Sequence, residues 1–278
     1  VQGYVHLAKS LLADAYRLAG DPATAERLAR EAADLARRFN RDFWMADEGC
    51  YCLALARSGE PVRAVGSNAG HAIWAGIADA DKAASTAARL LRPDMASGWG
   101  VRTLSNAERA YNPLHYHLGS VWPFDNALLA EGLIRYGLHR EAEQVFEEVL
   151  NAAACFSPGR LPEFYVGLQR EPDVFPARCP FAEPLQAWSA GAVPAMTAAF
   201  LGLRRLCDTR LEVERPRLPP GASRLALTLR TPEGEPIACR FERSDDGQAT
   251  VEARGPQGAL EIVEVSGATE RAGWKGAV

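Results

Sequence analysis

At 278 residues, 47% of them hydrophobic, the chain has room for one large domain, or one domain and a smaller module, with a sizeable core. A net charge of −4 and a pI near 5.8 argue against a polyanion partner, and no Lys/Arg cluster interleaved with aromatics offers a nucleic-acid surface. The six cysteines (Cys50, Cys52, Cys155, Cys179, Cys207 and Cys239) have no zinc spacing and read as free thiols of a reducing, cytoplasmic compartment.

The chain opens on Val rather than Met, in a run that already reads as mid-domain helix, so a fragment beginning inside a domain is expected. Residues 3–19 place Tyr4, Leu7, Leu11, Leu12, Ala15 and Leu18 at helical spacing. "GDP" at 20–22 then supplies a glycine stop, an aspartate N-cap and a proline at N1, and Ala25, Leu28, Ala32, Leu35 and Phe39 mark a second helix. Together these predict a helical hairpin. The aromatic stretch 43–57, with "ADEG" as its turn, predicts a small β excursion. Helical pattern resumes over 69–78, 80–92, 125–136 and 139–154, the last two separated by "YGLHR".

Residues 184–203 form the longest apolar stretch. Gln186, Ser189, Gly191 and Pro194 interrupt it, which favours a buried helix over 184–206 and no membrane span. After Cys207 the pattern changes to strict alternation broken by "PEGEP", "DDG" and "GPQG". A small antiparallel β module over 211–267 follows. The predicted organisation is mainly α, helical hairpins over 1–208 and a β module over 209–278, joined by the proline-rich "ERPRLPPGAS".

The loops between helices hold most of the unusual polar and aromatic residues. "SNAGHAIWAG" carries His71 and Trp74; "SGWGVRTLS" carries Trp99 and Arg102. "YHLGSVWPFDN" carries His117, Trp122, Asp125 and Asn126; "LPEFYVG" carries Glu163; and "EPLQAWSAG" carries Gln186 and Trp188. Indole faces beside carboxylates, amides and imidazoles suit a sugar, whose C–H faces stack while its hydroxyls take hydrogen bonds. Hydrolysing a glycosidic bond requires a pair of carboxyl groups, and Glu163, between Pro162 and two aromatics, is the best candidate for one of them. Asp125 also has a plainer reading, as the N-cap or first-turn acid of the helix that follows. His115 and His117 share a side if extended but have no third ligand nearby, so neither a metal nor any cofactor is expected.

The motifs "SNAGHAIWAGI", "GWGVRTLS", "YNPLHYHLGSVWPFDNALLAEGL", "GRLPEFYVG" and "QAWSAGAVPAM" resemble, in order over about residues 1–205, the carboxyl-terminal half of bacterial amylo-α-1,6-glucosidase (glycogen-debranching-type) proteins. The resemblance implies an (α/α)6 toroid of the six-hairpin glycosidases and an α-glucan or small α-glucoside as partner. It implies inversion with Glu163 as general base, and a sugar site shaped by Trp122, Asp125 and Asn126. The family's general acid lies in a "GWKDS"-like motif ahead of the "VQGY" helix. That motif is absent from this sequence, so an incomplete toroid, inactive alone, is expected. Two other readings remain open: a carbohydrate-binding or structural piece without turnover, and a six-hairpin epimerase or lyase using His117 as base.

Overall fold

Three glycines set the rhythm of the helical part. Helix α1 (Gln2–Leu18) stops at Gly20 (φ +84°), with Gly20 N–H bonded to Arg17 O and Asp21 N–H to Tyr16 O. This double bond is the Schellman stop, and it needs the left-handed backbone that glycine adopts freely. Helix α2 (Pro22–Asp42) starts at once, its Asp21 N-cap accepting the N–H of Thr24. After the short strands β1 (Trp44–Met45), β2 (Cys50–Tyr51), β3 (Ala54–Leu55) and β4 (Pro61–Val62), the same device recurs. Helix α3 (Asn68–Trp74) ends at Gly76 and is followed by α4 (Ala80–Leu90); α5 (Pro123–Arg135) ends at Gly137 and is followed by α6 (His139–Cys155). The helix expected over 69–78 therefore closes at Trp74, because Gly76 turns the chain.

The expected hairpin of residues 3–39 and the β excursion at 43–57 are both present, the latter as two antiparallel pairs reaching Val62. The "ADEG" turn closes β1 on β2, Gly49 N–H bonding to Met45 O. Helix α5 packs tightly on α3: a Cβ at Gly132 would meet the Trp74 main chain, and one at Gly70 would press on Leu129. The core of this part includes Leu28, Ile73, Leu90, Met95, Leu133 and Val145.

The computed structural model describes residues 1–156, 160–206, 209–231, 233–244, 249–256 and 258–264. It divides into two units, Val1–Met196 and Thr197–Val278, the division falling within α7 (Ala187–Phe200). The helix expected to run to 206 ends at Phe200. Gly202 (φ +63°) turns the chain and 203–206 becomes strand β5 (Leu203–Leu206). Nor is α7 buried all round: Ser189, Ala192, Met196 and Phe200 form one covered stripe, while Trp188, Ala190, Gly191 and Pro194 are exposed. No described helix is long and apolar enough to cross a membrane.

The second unit continues with β6 (Arg210–Val213), β7 (Arg224–Arg230), β8 (Pro236–Arg243), β9 (Ala249–Gly255), β10 (Gly258–Ala259) and β11 (Glu261–Glu264). One sheet runs β10-β9-β8-β7 and is antiparallel throughout; the other runs β11-β6-β5. The pairing of β11 with β6 is parallel, which corrects the expectation of a wholly antiparallel module. Alternation decides the faces: Ile237, Cys239 and Phe241 point into the core with Leu211, Val213 and Leu260, and Ala238, Arg240 and Glu242 point out. The "DDG" turn, residues 265–267 and Cys207 lie outside the described residues. Of the other cysteines, Cys155 is exposed, Cys50, Cys52, Cys179 and Cys239 are buried, and all five are free thiols.

Candidate active site

The motifs meet along a seam of single backbone bridges. Arg102 bridges Val121, Val121 bridges Tyr165, and Tyr165 bridges Arg178, all antiparallel. Val121 and Tyr165 exchange both N–H···O bonds, at 2.9 and 3.0 Å. This lays "GWGVRT", "GSVWP" and "LPEFYVG" side by side. Gly167 is part of the fit, since a Cβ there would run into the carbonyl of Gly119. Asn126 supports the seam from α5: its Oδ1 accepts Val101 N–H at 2.7 Å, and its Nδ2 donates to the carbonyls of Val101 and Trp122.

Glu163 hangs from this seam with only 6% of its surface exposed. Its main chain is pinned on both sides, N–H to Glu183 O at 2.9 Å and C=O receiving Ser189 Oγ at 3.1 Å. One carboxylate oxygen accepts the Tyr116 hydroxyl at 3.1 Å and the other accepts Glu183 N–H at 3.3 Å. Burial, helped by the neighbouring Glu163 carboxylate, pushes the Tyr116 phenol up from its ordinary value.

Around the carboxylate stands a group of rings. Trp122 is 5% exposed and sandwiched, with His117 stacked on one face (centroids 4.9 Å, 20°) and Phe164 on the other (4.9 Å, 12°). Its indole N–H is spent on Tyr116 O and Ser120 Oγ. The sequence suggested an indole platform for sugar at Trp122; with both faces covered it has none to offer, and it acts as the internal post of the site. Open aromatic surface is offered by Trp188, 43% exposed and stacked on Phe124 at 5.1 Å, by the outer ring His117, by Tyr116, and by Phe181 against Phe164. Trp188 also meets Trp122 edge-on at 6.1 Å. His71, Phe124, Trp188, Trp122, Tyr116 and Glu163 thus form one continuous chain of contacts.

Asp125 stands in the first turn of α5, behind Pro123 at N1, and its side chain makes no capping bond. It reaches across to His71 Nε2 on α3, and its partners also include the Ser67 hydroxyl. Burial raises its pKa, but the His71 and Ser67 interactions and the nearby His117 outweigh that, and the net direction is down. His71 Nδ1 lies 2.8 Å from the Tyr4 hydroxyl. A neutral imidazole carrying its proton on Nε2, toward the carboxylate, accepts the Tyr4 O–H at Nδ1.

The remaining candidate residues lie on the same framework but with their polar groups engaged. Arg102 is fully buried and donates to Gly167 O, Pro93 O and Gln169 Oε1. Its guanidinium locks the seam, and burial lowers its pKa. Trp99 is buried, with the Arg170 guanidinium 4.5 Å over its ring and its carbonyl accepting the Tyr165 hydroxyl. The Trp74 indole donates to Glu131 at 2.7 Å and its ring packs on Tyr4. Gln186 stands at the start of α7, its amide oxygen accepting Ala187 N–H at 3.1 Å. Sequence reasoning missed Tyr116, Phe124 and Tyr4. Only the aromatic between two histidines in "HYH" could have drawn attention to the first.

The sequence model of the family described as the mannosylglycerate hydrolase MGH1-like glycoside hydrolase domain matches residues 1–159. No curated protein matches the chain. Among solved structures, a protein titled "Sialidase" is similar with a TM-score of 0.69 at 13% identity, over 93% of this chain and 25% of that one. A GH63 mannosylglycerate hydrolase from Thermus thermophilus, in complex with Tris and D-glycerate, gives 0.54 at 23% identity, over 70% of this chain and 44% of that one. A neutral trehalase from Saccharomyces cerevisiae gives 0.58 at 15%, over 72% and 37%. The chain thus spans less than half the length of each of these structures, and at these identities the likeness is one of fold.

Proposed function

The chain belongs to the mannosylglycerate hydrolase MGH1-like glycoside hydrolase domain family, and from that premise we propose that it carries the general-base half of an inverting glycosidase site, with Glu163 as the base. The carrying observation is a buried carboxylate with its backbone pinned on both sides, set beneath an exposed phenol in an aromatic chamber. A base that activates water must be held still, and must be reachable by one water molecule. In an inverting enzyme the second carboxyl group, the acid, stands across the bond at about 6.5–9.5 Å. We assign that acid to no residue of this chain. Asp125, ionised and tied to His71, serves instead to position the imidazole that faces the sugar.

In this reading residues 1–208 are part of an (α/α)6 toroid of the amylo-α-1,6-glucosidase kind, working in the cytoplasm. Residues 209–278 are a trailing module. The substrate is an α-glucoside. A small compound is favoured by the solved neighbours, one bearing the name of a mannosylglycerate hydrolase and another that of a trehalase. Trp188, with His117 and His71, contacts the sugar; Asp125 positions His71, and Trp74, Trp99, Arg102, Trp122, Asn126 and Gln186 hold the loops that present it.

The test is a disaccharide and glycan panel on the full-length encoded protein, with the product anomer followed by NMR. Glu163→Gln is expected to cut turnover by about 10²- to 10⁴-fold while keeping ligand affinity, because the amide keeps shape but takes no proton. Trp188→Ala is expected to weaken sugar affinity about tenfold with little change in stability. Near-normal turnover by the Glu163→Gln protein would remove Glu163 from the mechanism.

A further inference from the structure

Glu163 owns two hydrogen-bonding oxygens, and the structure shows what each of them does. One faces the main-chain N–H of Glu183, a donor that no side-chain substitution can remove. The other faces Tyr116, the one side chain shown bonded to this carboxylate among the described residues. The phenol is held on target from several directions. Its ring packs edge-on against His117 (4.4 Å), Trp122 (4.7 Å) and Phe164 (5.1 Å). Its own carbonyl receives the Trp122 indole N–H and the Ser120 hydroxyl. Yet Tyr116 is 38% exposed while Glu163 beneath it is buried. A residue so firmly packed, and still open to solvent, stands between the carboxylate and whatever approaches it.

We propose that Tyr116 is the positioning residue of Glu163: its hydroxyl fixes the rotation of the carboxylate and leaves the remaining lone pairs of that oxygen as the place where a water is held. The proposal rests on the reading of Glu163 as the base. A hydrogen-bond donor favours the ionised form of a carboxylate over the neutral one, so the contact is read by what its removal does to that carboxylate. Among the described residues, the charged and titratable groups on the segments packed against the carboxylate are Tyr116 and His117 before it in sequence, and Arg178, Cys179 and Glu183 after it. Of these, Tyr116 and the Glu183 main chain make the recorded hydrogen bonds to it.

Tyr116→Phe removes the donor and keeps the ring, so the stacking around Trp122 survives; unchanged near-ultraviolet circular dichroism checks this. The probe is the carboxyl ¹³C resonance of Glu163 in glutamate-labelled protein, identified as the one missing from Glu163→Gln. In Tyr116→Phe its midpoint is expected to rise by about half a unit to one unit. A base that ionises later moves the acid limb of kcat to higher pH by the same amount, with KM little changed. Should Tyr116→Phe fold poorly, a fluorinated tyrosine at 116 keeps the shape and is a stronger donor, and the midpoint is expected to fall. A Glu163 midpoint unmoved by both replacements overturns the proposal. The two readings separate cleanly. If the midpoint moves but Glu163→Gln retains turnover, the positioning contact stands and the catalytic assignment falls. If Glu163→Gln is inactive and the midpoint does not move, the base stands without Tyr116.

Discussion

The two units bury different things. In residues 1–196 the interior holds Asn40, Ser67, Arg89, Ser97, Arg102, Ser105, Ser120, Asn126, Glu163 and Ser189 beside its apolar core. Among the described residues of 197–278 the buried polar residue is Thr231, and the rest of that interior is Leu, Ile, Val, Phe, Ala and Cys with Gly202, Pro216 and Pro219. A polar group taken from water costs free energy unless its hydrogen bonds are replaced, so a region that buries many must satisfy each one. The helical unit does so largely with side chains that hold irregular loops, Arg102 on three acceptors, Asn126 on the Val101 and Trp122 main chain, Ser189 on the Glu163 carbonyl, while the buried Thr86 hydroxyl is left without a hydrogen bond. The β unit satisfies most of its backbone in ladders, with side chains at its turns, Thr231 accepting Glu235 N–H and Arg243 donating to Ala222 O. What the contrast teaches is where irregular backbone is held: buried polar side chains fix it in the helical unit, where the proposed site lies.

The largest expected effect tests whether this contrast extends from packing to ligand. Trp122→Ala and Phe241→Ala each remove a buried ring, and each should destabilise its own unit by about 3–5 kcal/mol. They should differ in sugar affinity. Without Trp122, His117 and Phe164 lose the plate between them and Tyr116 loses its donor partner, so binding of an α-glucoside should weaken sharply. Phe241→Ala should leave it alone. Urea unfolding and isothermal titration of both variants provide the comparison, and weakened binding in Phe241→Ala would break it.

The same contrast explains what could be read from sequence. Helix ends were legible because their chemistry is local: "GDP" announces the Gly20 stop and the Asp21 cap, and Gly137 breaks "YGLHR" as its position suggests. Alternation marked the stretch after Cys207 as strands, and in β8 the buried positions recur at every second residue, as that pattern implies. The seam was not legible, because Arg102, Val121, Tyr165 and Arg178 pair one residue at a time over 76 positions, with no periodicity to betray it. That is why Arg102 read as a ligand contact when its donors are aimed at carbonyls, and why Trp122 read as an open face. Composition tells that an indole lies in a loop, and only packing tells which of its faces is free. The parallel pairing of β11 with β6 was missed for the same reason, since alternation fixes the face of a strand and not its neighbour.

A middle-sized effect sharpens the electrostatic side. Asp125 has its carboxyl below the usual range, so its bond to His71 contributes stability that is fully present above the unfolded value, near about pH 4, and fades as pH falls through the lower folded value. Asp125→Asn should therefore cost about 1–2 kcal/mol at neutral pH. The deficit should shrink as pH falls through the lowered folded value, where the wild-type carboxylate is protonated as well. Urea midpoints by tryptophan fluorescence across pH measure this. A deficit constant with pH would mean that the lost interaction is packing and not charge.

The smallest expected effect lies on the outer face of the β unit. Arg240 is exposed at the centre of β8, opposite Ala226 on one side and Glu252 on the other. It resembles the site of a specific contact, being an exposed guanidinium on a sheet face with Arg254 opposite the nearby Ala238. Physical chemistry says otherwise. An exposed cross-strand charge pair gains little in water and spends side-chain entropy on holding its geometry. A surface substitution away from core, cap or turn changes stability by about 0.5 kcal/mol or less. Arg240→Ala should thus shift the unfolding midpoint within that range and leave α-glucoside affinity and turnover at wild-type values. If it lowered affinity instead, the sheet face would be part of the sugar-handling surface, and the assignment of presentation to the helical unit alone would have to be abandoned.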